Sequence, residues 1–308
     1  MSITGYFCTN TLNKQLFNWS IFILLSFIWG SSFILIKTGM TFLSPYNVAS
    51  IRIISSGIVL LPITVRHIRT IPVSKLGLVF LSGVLGSLLP AYLFCAAETK
   101  IDSALAGMLN SLTPIFAIVC GALFFTSKVP AAKVAGIVIA FAGSILLLFS
   151  QGFKENSNIL YMCFAIIATI LYGININMVH KYLGNIRSLA IASVALSLCA
   201  IPATAVLFIS GFFQLPATSP KYVNSVVASV VLGIAGTAVA TILFYILVKR
   251  AGVIFSSMVT YGIPFIAILW GFVAHENITW KELASLAIIL AGVYIANRSS
   301  KVIIGRQE

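Results

Sequence analysis

Residues 83–121 read GVLGSLLPAYLFCAAETKIDSALAGMLNSLTPIFAIVCG, and residues 233–271 read GIAGTAVATILFYILVKRAGVIFSSMVTYGIPFIAILWG. The two stretches align without a gap at a fixed offset of 150 residues. Identical pairs include Gly83 with Gly233, Gly86 with Gly236, Met108 with Met258, Pro114 with Pro264 and Gly121 with Gly271. Because one offset holds over two consecutive apolar runs, the alignment predicts a chain built from two similar halves.

The composition predicts a membrane protein. Of the 308 residues, 60% are hydrophobic and 8% are charged, whereas soluble domains average about 45–50% apolar and about 25% charged residues. A soluble protein with so few charges would leave its apolar surface exposed to water. A bilayer core needs roughly 20 apolar residues per helix, so the length and composition predict an all-α polytopic membrane protein.

Apolar runs bounded by charged, proline, asparagine or glycine residues predict ten spans. They are 19–37, 46–65, 75–97, 103–125, 131–149, 159–179, 188–211, 224–248, 253–274 and 283–297. We therefore predict a first five-helix unit over 19–150 and a second over 151–298. The polar segment 1–18 is predicted to be disordered or to lie at the membrane surface, and residues 299–308 to form a tail.

Five is an odd number, so the second unit enters the membrane from the opposite face. The fold expected is therefore ten transmembrane helices in two inverted five-helix repeats around a central cavity. Inverted repeats are typical of transporters, whose substrate site lies near the bilayer midplane between the repeats. A duplication without a transport role is the alternative.

The distribution of basic residues predicts the orientation. With the N-terminus inside, the inside segments carry thirteen Lys and Arg residues and the outside segments five. Cytoplasmic loops are enriched in positive charge, so we predict a plasma-membrane protein with both termini in the cytoplasm. The formal net charge of +13 is thus an orientation signal, and we predict the lipid bilayer, not nucleic acid, as a partner.

The sequence offers no catalytic or cofactor motif. It contains no Walker lysine loop, no GxGxxG, no HExxH and no CxxC among its five cysteines. We therefore predict no enzyme activity, no catalytic residue, no metal and no cofactor. Any energy for transport must come from a gradient.

Several motifs in a fixed order resemble the drug/metabolite transporter superfamily, specifically its EamA-type members. They are FIWGSSF at 27–33 with Lys37 after it, Ser44-Pro45 with Arg52 after it, LTP at 112–114, and GIP at 262–264 with Glu276 after it. The resemblance covers about 19–298 and implies ten helices in two inverted units, cytoplasmic termini, and export or uptake of small metabolites, including amino acids. Family members often carry a Glu after the fourth helix, where this chain has Thr126-Ser127.

Polar and aromatic residues within the spans are the candidates for lining a substrate cavity: Trp29, Ser32, Tyr92, Asn110, Ser111, Tyr172, Asn175, Tyr245, Thr260 and Tyr261. An interhelical hydrogen bond is the alternative role for each. Pro114 and Pro264 predict helix breaks, because proline lacks a backbone donor and leaves carbonyls free.

Charged residues in or beside the spans form a second group of candidates. Arg52 is the only charged residue that the loops do not accommodate, and it is a candidate for facing the cavity and binding a substrate carboxylate. A structural arginine is the alternative. Lys37, Glu98 and Glu276, at the outer ends of helices, are candidates for a gate or for proton coupling, with a solvated loop cluster as the alternative.

The function predicted is a secondary transporter, either an exporter or an exchanger, of small metabolites such as amino acids or related compounds. It would work by alternating access. A passive facilitator or channel for small polar solutes on the same scaffold is the alternative. The small-residue pairs AxxxG at 117–121 and 267–271 can join helices, and either a monomer or a homodimer fits them.

Overall fold

The computed structural model describes residues 3–125, 131–150, 156–217 and 219–304, and every regular element within them is helical. The first half contains α1 (Ile3–Gly39), α2 (Pro45–His67), α3 (Val73–Gly83), a π-helical segment π1 (Val84–Leu88), α4 (Leu89–Ala97), α5 (Ser103–Asn110), α6 (Thr113–Phe125) and α7 (Ala131–Ser150). Thr126-Ser127 lies outside the described residues, as do Lys128, Lys154 and Arg306, which belong to the basic residues counted for the orientation.

The second half repeats this order. It contains α8 (Asn156–Tyr182), α9 (Ser188–Ile209), α10 (Pro220–Gly233), a π-helical segment π2 (Ile234–Val239), α11 (Ala240–Ser257), a 3-10 turn (Met258–Tyr261), α12 (Gly262–Val273) and α13 (Trp280–Ile304). The offset of 150 residues that aligns the two sequences also places π1 on π2.

By length and composition, seven helical runs in the described residues can cross a membrane: Gln15–Gly39, Pro45–Thr70, Val73–Ala97, Ser103–Phe125, Ile159–Tyr182, Ser188–Ile209 and Pro220–Val273. The last run is 54 residues long and contains two of the spans predicted from sequence, 224–248 and 253–274. Gly252, between those two spans, has φ 81° and ψ 173°, so the helical conformation is interrupted there.

The segment 1–18 differs from its prediction. From Ile3 onward it is helical and continuous with the first span, whereas the expectation was a segment that is disordered or lies at the membrane surface. Residues 3–18 contain no proline and only Lys14 as a charged residue. Nothing in this stretch therefore ends a helix that the apolar span continues.

Helix contacts between the two halves come in equivalent pairs, which we call an exchange pattern. Several helix pairs that join the two halves have an equivalent pair, with the halves exchanged, that also packs. The pairs are α6 on α8 with α12 on α1, α4 on α8 with α11 on α1, and α3 on α9 with α10 on α2, while α2 packs on α9 and α7 on α13.

The helices enclose a buried interior and expose large apolar side chains on the outside of the molecule. All residues of α5 are buried, and Leu105 and Met108 are among the largest fully buried side chains. In contrast, Ile58, Leu123 and Ile209 are 61%, 71% and 87% exposed. Large apolar side chains on the outside of so apolar a chain are what a lipid environment requires.

Candidate functional site

A cavity of about 70 Å³ lies between the two halves. At about 10–15 Å³ per water molecule, it can hold on the order of five water molecules. Its lining comes from α1, α2, π1, α4, α5 and α6 of the first half and from α8, π2, α11 and the 3-10 turn of the second. The cavity is therefore shared by the two halves.

Both π-helical segments contribute to the lining. Gly86 and Ser87 of π1 and Gly236 and Thr237 of π2 all line the cavity. A π turn inserts an extra residue into a helix and is frequent at functional sites. A Cβ atom at Gly86 would overlap the Asn175 amide, and one at Gly236 would lie 2.7 Å from the Ser32 hydroxyl, so the glycines allow these two side chains to approach the π segments closely.

Arg52 on α2 is buried and lines the cavity. Its Nε atom donates a hydrogen bond of 2.7 Å to the Thr237 hydroxyl of π2. It forms no salt bridge with an acidic side chain among the described residues. An arginine has five N–H donors, so the guanidinium holds donors beyond the one that Thr237 receives.

Two asparagines present amide groups to the cavity. Asn175 on α8 donates through Nδ2 to the Tyr245 hydroxyl at 3.3 Å. Its Oδ1 atom is buried and has no hydrogen-bond partner among the described residues. Asn110 accepts at both its backbone carbonyl and Oδ1 from the Thr113 hydroxyl, at 2.8 and 3.3 Å.

Aromatic rings form the apolar part of the lining. Trp29 donates through Nε1 to the Gly236 carbonyl at 3.0 Å, and its ring centroid lies 5.0 Å from that of Phe244. Tyr172 stacks on Phe94 at 6.2 Å. Arg52 and the two asparagines therefore lie among rings contributed by both halves.

Eight of the eleven predicted cavity residues line the cavity: Trp29, Ser32, Arg52, Asn110, Tyr172, Asn175, Tyr245 and Thr260. The other three do not belong to its lining. The Tyr92 hydroxyl lies 2.7 Å from the Ser50 hydroxyl, fully buried Ser111 donates to the Met108 carbonyl at 2.6 Å, and Tyr261 packs against the hydrophobic core. Ser111 and Tyr261 each follow a cavity residue directly, and neighbouring positions on a helix point to different faces.

The lining also includes residues that are not among those eleven: Phe33, Ile36, Gly86, Ser87, Phe94, Thr113, Ile176, Gly236, Thr237, Thr241 and Phe244. For the two glycines a signal was present, because they match at the offset of 150. The others are apolar residues or small hydroxyl residues, which are common throughout the spans and give no local indication that they face a cavity.

The two predicted helix breaks precede the prolines. Helix α5 ends at Asn110 and α6 begins at Thr113, with Pro114 in its first turn. In the second half, the 3-10 turn Met258–Tyr261 comes before α12 and Pro264. Proline fits the first turn of a helix, where no intrahelical N–H bond is lost. The interruptions place Asn110, Thr113 and Thr260 at the cavity.

A charged cluster, consisting of Lys37, Glu98, Asp102 and Glu276, lies outside the cavity lining. Lys37 Nζ lies 2.7 Å from Glu276 Oε1 and 3.3 Å from Asp102 Oδ1. Glu276 also accepts the Ser103 hydroxyl and the backbone N–H groups of Ser103 and Ala104, at 3.2 and 3.1 Å. It thus caps the N-terminus of α5, where a carboxylate is favoured.

Glu276 is ionised in this arrangement. Burial raises the pKa of its carboxyl group, but the hydrogen bonds from Lys37, Ser103 and Ala104 and the charge of Lys37 outweigh burial and hold the pKa below its usual value. Lys37 and α5 belong to the first half and Glu276 to the second. The carboxylate therefore joins the two halves at one end of the molecule.

Among the described residues, no group of three or more His, Cys, Asp or Glu side chains could hold a metal ion. The chemistry available in the cavity is hydrogen bonding and charge from Arg52, the asparagines and the hydroxyl groups, together with aromatic surface. Such a set of groups can bind a small polar molecule.

Comparisons with known proteins agree with this architecture. The EamA-like transporter family matches twice, at residues 18–149 and 159–298. An uncharacterized transporter of Archaeoglobus fulgidus is 26% identical over 91% of this chain and 98% of its own length. A probable terminal-alkyne amino-acid exporter of Streptantibioticus cattleyicolor is 25% identical over 88% of this chain and 90% of its own.

One solved crystal structure shares the fold, with a TM-score of 0.60 at 17% sequence identity over 92% of this chain and 96% of its own. Multiple apolar helices, the double family match and relatives named as transporters identify a multi-pass membrane transporter. The chain belongs to the EamA-like transporter family.

Proposed function

We propose that the chain is a secondary transporter, an exporter or exchanger, of small carboxylate-bearing metabolites such as amino acids, and that it works by alternating access. The observation that carries the proposal is Arg52, a buried arginine in a cavity between the halves with no acidic partner among the described residues. A buried charge without a counter-charge is costly. A substrate carboxylate would provide that counter-charge.

The remaining groups of the cavity support an amino acid. Guanidinium groups bind carboxylates through two parallel hydrogen bonds, and Thr237 receives the Nε donor of Arg52. The Oδ1 atom of Asn175, which no described residue contacts by a hydrogen bond, is an acceptor that suits an ammonium group. A volume of about 70 Å³ favours a small substrate, and one relative of similar length is named as an amino-acid exporter.

Alternating access rests on the repeat. The proposed architecture has ten transmembrane helices in two inverted five-helix units, with both termini in the cytoplasm. The alignment at an offset of 150 residues, the equivalent π segments and the exchange pattern of helix contacts support it. Two similar halves around one site can rock against each other and expose the site to each face in turn.

The test uses the full chain in liposomes with a panel of radiolabelled L-amino acids and other small carboxylates. We expect uptake of at least one compound and faster uptake when the same unlabelled compound fills the lumen, because a carrier returns faster when loaded. Uptake without this acceleration would indicate a channel and contradict alternating access. Absence of uptake across the panel, relative to protein-free liposomes, would contradict the proposal.

A further inference from the structure

Glu98 is a buried acid that does not line the cavity. It follows α4 directly as the residue at its C-terminal cap and is only 6% exposed. Neither of its carboxyl oxygens has a hydrogen-bond partner among the described residues. A buried carboxylate without donors is very unfavourable, whereas the neutral acid is tolerated.

The surroundings of Glu98 favour the neutral form. The C-terminus of a helix carries partial negative charge and disfavours a carboxylate. Burial has the largest effect and raises the pKa of Glu98 well above its usual value, and the negative charge of Glu276 raises it further.

The charges of two cations, Lys37 and Arg52, oppose this effect, but neither cation forms a hydrogen bond or salt bridge with Glu98 among the described residues. Lys37 on α1 contacts Glu276 and Asp102, and Arg52 on α2 donates to Thr237. On its own helix, Glu98 interacts with Cys95, a fully buried thiol. The charge of Glu276 also acts on Glu98, and Lys100 and Asp102 follow Glu98 within four residues along the chain.

We propose that Glu98 is a proton-binding site that must be occupied before this end of the transporter can close. In the closed arrangement, Lys37 contacts Glu276 and the Glu98 carboxyl group is neutral. Opening separates Lys37 from Glu276 and admits water, so the O–H bond of Glu98 breaks, the proton passes to water and the carboxylate remains. Closing takes up a proton from the same face. The inference rests on the proposed function, since opening and closing are the steps of alternating access.

Infrared spectroscopy of the purified full chain at neutral pH tests the proton directly. We expect the difference spectrum between the wild type and Glu98→Gln to show loss of one protonated-carboxyl band. Glu282→Gln is the matched control, because Glu282 is also buried but accepts the Thr279 backbone N–H at 2.7 Å; this change should remove a carboxylate signal. An unchanged carboxyl band in Glu98→Gln would overturn the proposal.

A second variant keeps Glu98 in place and so remains informative if Glu98→Gln does not fold. Glu276→Gln removes the neighbouring negative charge and weakens the contact with Lys37. Both effects favour ionisation of Glu98, so its band should be lost at a lower pH than in the wild type. A midpoint that does not move, or that moves upward, would contradict the proposed coupling.

The pH dependence of exchange, measured with a panel compound that the protein exchanges, gives an independent test. Wild-type exchange should slow as the pH at this face rises, because the open form must regain a proton before it closes, and Glu98→Gln should lose this pH dependence. If Glu98→Gln kept the wild-type pH profile, the role proposed for Glu98 would be overturned, but the proposed transport function would stand. Absence of any exchange would contradict the proposed function, while the infrared result would still stand.

Discussion

Replacing Arg52 by methionine removes the charge of the cavity and keeps much of the side-chain volume. A hydrogen bond to a charged group contributes about 1.5–3 kcal/mol. Loss of two such bonds to a substrate carboxylate therefore costs at least about 3 kcal/mol, which is on the order of a 100-fold loss of affinity. Arg52→Lys keeps the charge but loses the planar pair of donors, so we expect a smaller loss, on the order of tenfold.

Folding should be affected much less than binding. Thr237 loses one donor at 2.7 Å, a cost of about 1.5–3 kcal/mol for a bond to a charged group, and removal of a buried charge offsets part of that cost. The matched control is Arg66→Met, on the same helix but exposed, which should leave transport unchanged. The assay measures the concentration dependence of exchange in liposomes together with thermal unfolding in detergent. Unchanged apparent affinity in a well-folded Arg52→Met variant would refute the carboxylate-binding role.

Three further predictions concern the cavity and the charged cluster. Gly86→Ala and Gly236→Ala should each reduce exchange at least tenfold, because the added Cβ atom meets Asn175 or Ser32. The control Gly77→Ala, whose added Cβ atom meets nothing within 4 Å, should leave exchange unchanged. Equal effects of all three substitutions would refute the close approach of Asn175 and Ser32 to the two glycines. Trp29→Phe should lower stability by about 1 kcal/mol through loss of the bond to the Gly236 carbonyl, measured as a lower unfolding temperature, and an unchanged temperature would count against that bond. The pKa of Glu276 is lowered in the folded state, so its contribution to stability is present above the unfolded pKa of about 4.3 and is lost as the pH falls through the folded pKa. Unfolding temperatures below about pH 4 should therefore drop more for the wild type than for Glu276→Gln. Parallel curves of unfolding temperature against pH would contradict this contribution.

Sequence reasoning predicted the parts of the fold that follow from pattern. An apolar run long enough to span a bilayer is visible without a structure, and the offset that aligns 83–121 with 233–271 anticipated the equivalent positions of π1 and π2. The Ser44-Pro45 pair marks the start of α2, where the Ser44 hydroxyl accepts the Asn47 backbone N–H at 3.2 Å. Capping and hydrophobic length are local properties, so the sequence displays them.

Contacts between distant elements could not be predicted in the same way. Nothing near Arg52 indicates that Thr237, 185 residues away, accepts its Nε donor. Sequence reasoning offers Glu98 and Glu276 as candidates for a gate or proton coupling, with a solvated loop cluster as the alternative. It does not indicate that Glu276 caps α5 from the other half, or that Glu98 is buried with no hydrogen-bond partner among the described residues. Which face of a helix is turned inward also depends on its neighbours, which is why Asn110 lines the cavity and adjacent Ser111 does not.

The structure of the full chain bound to a compound that it exchanges would test the central claim most directly. The account predicts density for that compound in the cavity between π1 and π2, with its carboxylate within hydrogen-bond distance of the Arg52 guanidinium. A compound bound outside this cavity, or inside it with its carboxylate away from Arg52, would contradict the account.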